Sequence, residues 1–278
     1  MKTISKVFSC ILAFSSLLGS VEGQNRYKIW YDKPASYWEE ALPIGNGRIA
    51  AMVFGDPQLE QIQLNEETVS AGSPYQNYNE EAKAALPEMR RLIFEGKYEE
   101  AQNMAATKIL SQVGNEMPYQ TVGRLNIRYQ DHKKVSNYYR DLDISNAMTV
   151  TRYKVDGVEF TEETFASFTD QLVIRHIKSS KPGAINCELF FNTPMRDPKR
   201  SIYGKKGLRL EGITHGSRYF PGKVHYCADL DVKNKGGEVT MANDTLLSVQ
   251  GASELTLYIS MATNFVNYKD ISGDPYQR

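Results

Sequence analysis

The sequence predicts a mainly β protein: a large antiparallel β-sandwich carrying an inserted helical hairpin. Three observations point there. From about Thr121 onward, short runs alternate in polarity with a period near two, as half-buried strands do. Turn residues separate them at intervals of roughly ten residues, as in Lys181-Pro182-Gly183 and Lys235-Gly236-Gly237. One block alone, Asn79 to Leu110, is rich in the helix formers Ala, Glu, Lys, Arg and Met.

The elements follow in order. Met1 to Gly23 has Lys2 and Lys6 ahead of an apolar stretch, Val7 to Leu18, with small residues after it. That is the form of an export signal cleaved after Gly23, and it is shorter than the ~20 apolar residues of a spanning helix. Cys10 lies inside the apolar stretch, with more apolar residues after it, which argues against a lipoprotein cysteine. The mature chain, residues 24–278, is expected to be exported to the periplasm or secreted, with no membrane segment and a single sandwich domain.

Lys28 to Tyr31 and Arg48 to Phe54 read as strands, and Gln58 to Leu64 as a third, its polar and apolar residues alternating imperfectly. Pro43, Gly45, Asn46 and Gly47 read as a tight loop. The helical insert spans about 79–110. Asn79 is placed to cap it, Pro87 to open a second helix, and Gly96 to stop it. Leu86, Met89 and Ile93 form the apolar stripe of the first part, and a further helix covers about Tyr98 to Leu110. Strands then follow: Leu125 to Tyr129, Met148 to Val155, Val158 to Ala166, Leu172 to Ile177, Ala184 to Phe191, Leu208 to Ile213, Lys223 to Val232, Leu246 to Val249 and Leu255 to Met261. Asp156-Gly157 joins the second and third of these in a two-residue hairpin turn.

Composition excludes some functions. The chain of 278 residues carries 33 basic and 33 acidic side chains, so it has no basic field to hold a nucleic acid backbone. Three Cys are too few for a disulfide framework; Cys187 and Cys227 fall in strands, where a pair and two buried thiols are both open. His132, His176, His215 and His225 show no metal-ligand spacing, so neither a metal nor a cofactor is expected. No nucleophile motif is present. The acid pairs Glu39-Glu40, Glu66-Glu67, Asp141 with Asp143, and Glu162-Glu163 read as solvated pairs at strand ends, since neighbours in a strand face opposite ways. No catalytic residue is therefore assigned. Four polar residues beside flexible loops, Asn46, Arg48, Asn65 and Glu66, are candidates for the edge of a ligand site.

Two segments, Trp38 to Arg48 (WEEALPIGNGR) and Gln63 to Thr68 (QLNEET), resemble the opening of glycoside hydrolase family 95. Further segments agree in the same order: Leu86 to Gln102, Pro118 to Tyr129, Tyr138 to Ser167, Asp170 to Gly183 and Ala262 to Pro275. The resemblance implies a supersandwich-like N-terminal domain of an α-L-fucosidase, an enzyme that removes terminal α-linked L-fucose from glycans by inversion. It implies that the catalytic residues lie in an (α/α)6 barrel that follows this domain, and that the chain stops before that barrel. The partners so implied are a fucosylated glycan, met through the intact enzyme, and the barrel. One departure stands out: Ser70 occupies a position where the family usually has Trp. A sandwich that binds carbohydrate by itself, and a truncated gene product without function, are the alternatives.

Overall fold

The computed structural model describes residues 27–111, 117–217 and 220–277. The expected export signal lies outside them. In chain order the strands are β1 (Lys28–Tyr31), β2 (Leu42–Gly45), β3 (Ile49–Val53), β4 (Leu59–Glu66), β5 (Gly123–Tyr129), β6 (Val135–Asp143), β7 (Met148–Val155) and β8 (Val158–Ser167). They continue as β9 (Leu172–Ser179), β10 (Ile185–Asn192), β11 (Arg196–Tyr203), β12 (Gly207–Ile213), β13 (His225–Lys235), β14 (Glu238–Asn243), β15 (Leu246–Ala252) and β16 (Glu254–Thr263). Two helices, α1 (Ala82–Phe94) and α2 (Tyr98–Met104), stand between β4 and β5.

The strands form a nine-stranded sheet, β1-β6-β7-β8-β9-β16-β13-β12-β11, and a seven-stranded sheet, β14-β15-β10-β5-β4-β3-β2. Neighbours pair antiparallel throughout. The inward faces pack on one another. Leu64, Leu125, Ile127 and Leu189 of the smaller sheet and Val173, Ile177, Leu257 and Ile259 of the larger belong to one buried core. The Asp156-Gly157 turn has positive φ at both residues, 47° and 83°, as a primed two-residue turn requires.

The core also holds charge, contrary to the solvated acid pairs expected. Glu60 occupies an inward position on β4 and Glu162 one on β8; both are buried, together with Arg175 of β9. The Arg175 guanidinium lies between the two carboxyls, 3.1 Å from Glu60 Oε2 and in short contact with Glu162 Oε2, and donates to Thr164 Oγ1 at 2.7 Å. The hydroxyls of Tyr129 and Tyr153 donate to Glu162 Oε1 at 2.5 and 2.7 Å. Glu60 Oε1 accepts the N–H groups of Phe54 and Gly55 at 3.1 and 3.0 Å. Burial, with the Glu162 carboxyl nearby, pushes Glu60 up to about 7 against the pull of Arg175. His132, buried among Tyr129, Tyr153 and Phe160, has its pKa lowered chiefly by desolvation. Asp141 is buried as well, on β6 beneath Lys28 at 3.3 Å.

Other expectations need local correction. Pro43 and Gly45 lie in β2, paired with Met52 and Ala50 of β3, so the loop is only the Asn46–Arg48 turn. Pro87 does not open a helix but lies inside α1, where it removes one N–H near the start of the ladder. α2 ends at Met104 and passes into a π turn, Ala105–Ile109. Of the predicted stripe, Leu86 and Ile93 are exposed, and Leu92 is the buried residue of α1. Asn79 does accept a bond at the start of the insert, from the Glu81 N–H at 3.0 Å, and its amide also reaches the Thr107 carbonyl at 3.1 Å, closing the hairpin. Gly96, φ +78°, turns the chain between the helices. Cys187 and Cys227 are both buried free thiols, on strands of different sheets.

Candidate functional site at one end of the sandwich

One end of the sandwich gathers the β2–β3 and β8–β9 turns, the exit of β4 toward the helical hairpin, and the segment after β16. Three of the four candidate residues meet there. Asn46 Oδ1 accepts the N–H groups of Arg48 and Ile49 at 3.0 and 2.9 Å, which closes the β2–β3 turn. Its amide nitrogen donates across to the Ser167 carbonyl at 2.8 Å and to Gln171 Oε1 at 3.2 Å. Arg48 spends its guanidinium on three groups: Gln171 Oε1 at 2.8 Å, Glu66 Oε1 at 3.2 Å and the Met261 carbonyl at 3.1 Å. Glu66 Oε2 accepts the N–H and the hydroxyl of Thr68 at 2.8 and 2.6 Å, and the Thr68 hydroxyl also meets that of Thr263. The network ties the smaller sheet to the larger at this end. Glu66 is buried while the Arg48 side chain is a third exposed, so the cation faces the outside and its anion does not.

Asn65 is not part of it. Alternation along β4 turns it to the opposite face from Glu66, in register with Ala50. Nearby, the Tyr119 hydroxyl donates to the Glu66 carbonyl at 3.0 Å, and burial raises its pKa.

Beside the network opens a cleft of about 670 Å³, lined among others by Glu67, Thr68, Ser70, Tyr75, Phe265 and Tyr268. Ser70 forms an isolated bridge with Tyr119 at its wall. Gly72 shapes the floor: its φ is +80°, and a Cβ there would meet the Met117 sulfur at 2.5 Å. Asn264 pins the segment after β16 to this end, accepting the His225 N–H at 2.9 Å and donating to the Ile271 carbonyl at 2.9 Å.

Sequence reasoning missed Gln171, Thr263 and Asn264. Gln171 carries a signal in its backbone alone, a positive φ of 57° at a non-glycine residue. Thr263 and Asn264 sit at the end of an apolar strand, where a polar residue reads as an ordinary terminus.

The chemistry of this end is limited. Glycoside hydrolysis needs two carboxyl groups facing one sugar. Glu67 is the acid among the residues that line the cleft. The closely set pair Glu60 and Glu162 is sealed in the core, out of reach of any substrate. Among the described residues no group of three His, Cys, Asp or Glu side chains is placed to hold a metal. Among the described residues, the lining of this cleft holds no facing pair of carboxyl groups.

The profile of the glycosyl hydrolase family 65 N-terminal domain matches residues 29–268. The chain belongs to that family. As an N-terminal glycosidase domain it has relatives named as fucosidases, in keeping with the motif resemblance. "Alpha-L-fucosidase 2" of Arabidopsis thaliana is 31% identical over 261 residues, 86% of this chain and 30% of its own length. "Probable alpha-fucosidase A" of Aspergillus oryzae is 22% identical over 272 residues, 94% of this chain and 36% of its own. The chain thus spans about a third of the length of these relatives. A solved structure titled as a kojibiose phosphorylase from human microbiome superposes with a TM-score of 0.44 at 11% identity, covering 90% of this chain and 34% of that one. No helix among the described residues is long and apolar enough to cross a membrane.

Proposed function

We propose that this domain serves an α-L-fucosidase: it braces a separate catalytic domain that hydrolyses terminal α-linked L-fucose of glycans. The observation that carries the reading is the match of residues 29–268 to an N-terminal glycosidase domain, with relatives named as fucosidases over most of the chain. The cleft, with a single acid among its described lining residues, fits a domain that works beside a catalytic centre rather than containing one. In this reading Asn46, Arg48 and Glu66 hold the loops at the edge of the catalytic pocket. Asn65, on the other face of β4, supports Tyr119, the bridge partner of the cleft residue Ser70. The leader Met1 to Gly23 exports the protein, and the mature chain begins at Gln24.

The test is the activity of the longer enzyme against that of this chain. The enzyme with its catalytic domain is expected to release L-fucose from 2′-fucosyllactose, and residues 24–278 alone to release none. Release by this chain alone, or none by the longer enzyme, contradicts the reading. N-terminal sequencing of the exported protein is expected to start at Gln24; a start at Met1 contradicts export by cleavage.

A further inference from the structure

The outer face of the seven-stranded sheet carries an open groove away from the end described above. Two depressions, of about 590 and 350 Å³, lie side by side with Arg124 in the lining of both. The antiparallel register sets the floor. Gln63 of β4, Arg124 of β5 and Asn192 of β10 lie in one row across three strands. Adjacent strands are ~4.8 Å apart, so this row spans ~10 Å, about two sugar rings. Gln61 and Asn126 lie in the next row. The side chains are planar amides and a guanidinium, which donate and accept in defined planes. They are held by one another: Arg124 Nη1 donates to Gln61 Oε1 at 2.6 Å, and Asn126 to Asn192 Oδ1 at 3.2 Å. The guanidinium of Arg124 also lies over the Phe54 ring, 5.7 Å from its centroid.

Two large aromatic side chains close one end of the groove, Tyr37 and Trp38, 57% and 50% exposed. They are not on a loose tail. The buried Arg140 donates to the carbonyls of Lys33 and Glu40 at 2.8 and 2.7 Å, and Ala35 N–H bonds the Phe54 carbonyl at 2.9 Å. The fold therefore uses a buried cation to fix a segment whose tryptophan faces solvent. Charge along the face is largely balanced: Arg128 pairs with Glu188 at 3.0 Å, Lys33 with Glu40 at 3.6 Å, and Asp56 lines the same depression as Arg124. Exposed aromatic faces with amide and guanidinium donors and little net charge suit a neutral polyhydroxylated ring, which offers an apolar C–H face and a rim of hydroxyls.

We infer that this face is a non-catalytic binding surface for neutral oligosaccharides, with Trp38 and Tyr37 stacking on a ring and Gln63, Arg124 and Asn192 bonding its hydroxyls. The inference goes beyond the fucosidase reading and does not depend on it.

The chain has two tryptophans, Trp30 and Trp38. Trp30 is 60% exposed on β1 of the other sheet, so Trp30→Phe leaves Trp38 as the sole indole reporter without disturbing the core. In that variant, 2′-fucosyllactose or maltotriose is expected to shift the indole emission with a saturable curve in the millimolar range. Adding Gln63→Ala and Asn192→Ala is expected to weaken binding at least tenfold, with the far-ultraviolet circular dichroism unchanged. No shift with either sugar up to about 10 mM, where a ΔG near −3 kcal/mol would still register, overturns the inference. A shift that survives the two alanines also overturns it. An emission that follows protein concentration instead of sugar marks a contact between copies, and overturns it too. None of these outcomes bears on fucose release by the longer enzyme.

Discussion

Of the arginine–glutamate networks among the described residues, two link the sheets, and they differ in one respect that separates structure from function. Arg175, Glu60 and Glu162 are closed off in the middle of the sandwich, with no exposure at the cation. Arg48 and Glu66 stand at its end, where the anion is buried and the cation is a third exposed beside an open cleft. Both link the two sheets. The inner network has a net excess of carboxyl over guanidinium, met by tyrosine hydroxyls and backbone N–H groups. Its partners are all internal, so it specifies how the sheets pack. The outer one leaves a face of its cation outside, so it can respond to something that is not part of this domain.

The comparison can be broken most sharply at Arg175. Arg175→Met leaves two buried carboxyls without a counter-charge, and is expected to cost about 3–5 kcal/mol in urea unfolding. A loss below ~1 kcal/mol would show that the inner network is not what joins the sheets.

A smaller effect lies in pH. Glu60 keeps its proton up to about 7 in the fold, against 4.5 in the unfolded chain. The folded state then binds the proton more tightly. Its contribution to stability is full below pH 4.5 and is lost as pH rises through about 7. The charged and titratable groups acting on Glu60 are Arg175, Glu162, Tyr138 and Arg140. The melting temperature is expected to fall between pH 5 and 8, and Glu60→Gln to flatten that slope. An equal slope in the variant would assign the effect elsewhere.

The smallest loss is expected at the outer network. Glu66→Gln keeps the shape and one acceptor oxygen, but removes the charge opposite Arg48 and turns the other oxygen into a donor. It is expected to cost about 1 kcal/mol by thermal unfolding. A loss as large as that at Arg175 would erase the distinction between the two networks.

Most of the sandwich was legible in the sequence, and three of the four strands that were not share a cause. β2, β11 and β14 lie at sheet edges, and β6 lies next to the edge strand β1. β11 reads Arg-Asp-Pro-Lys-Arg-Ser-Ile-Tyr and β14 is exposed along most of its length. Edge strands carry charge and proline because these discourage pairing with other chains, and that removes the alternation by which a strand is recognised. Glu60 and Glu162 were unreadable for the converse reason. They sit on inward positions of well-formed strands, and only the third dimension reveals the arginine and tyrosines that make their burial tolerable. At the candidate site, Asn46, Arg48 and Glu66 were legible as polar residues beside glycines. Their convergence on Gln171 and Thr263, more than a hundred positions away in the chain, was not.

The account rests on the end of the sandwich acting on a catalytic pocket beside it. The most direct test compares Arg48→Lys with the parent in the longer enzyme, reading kcat/KM for fucoside hydrolysis and Tm together. Lysine keeps the charge next to Glu66 but cannot also hold Gln171 and the Met261 carbonyl. The account predicts at least a tenfold loss of kcat/KM with a Tm change of only about 2–4 °C, the equivalent of roughly 1 kcal/mol. Unchanged activity, or a loss of activity that merely tracks a much larger fall in Tm, would contradict it.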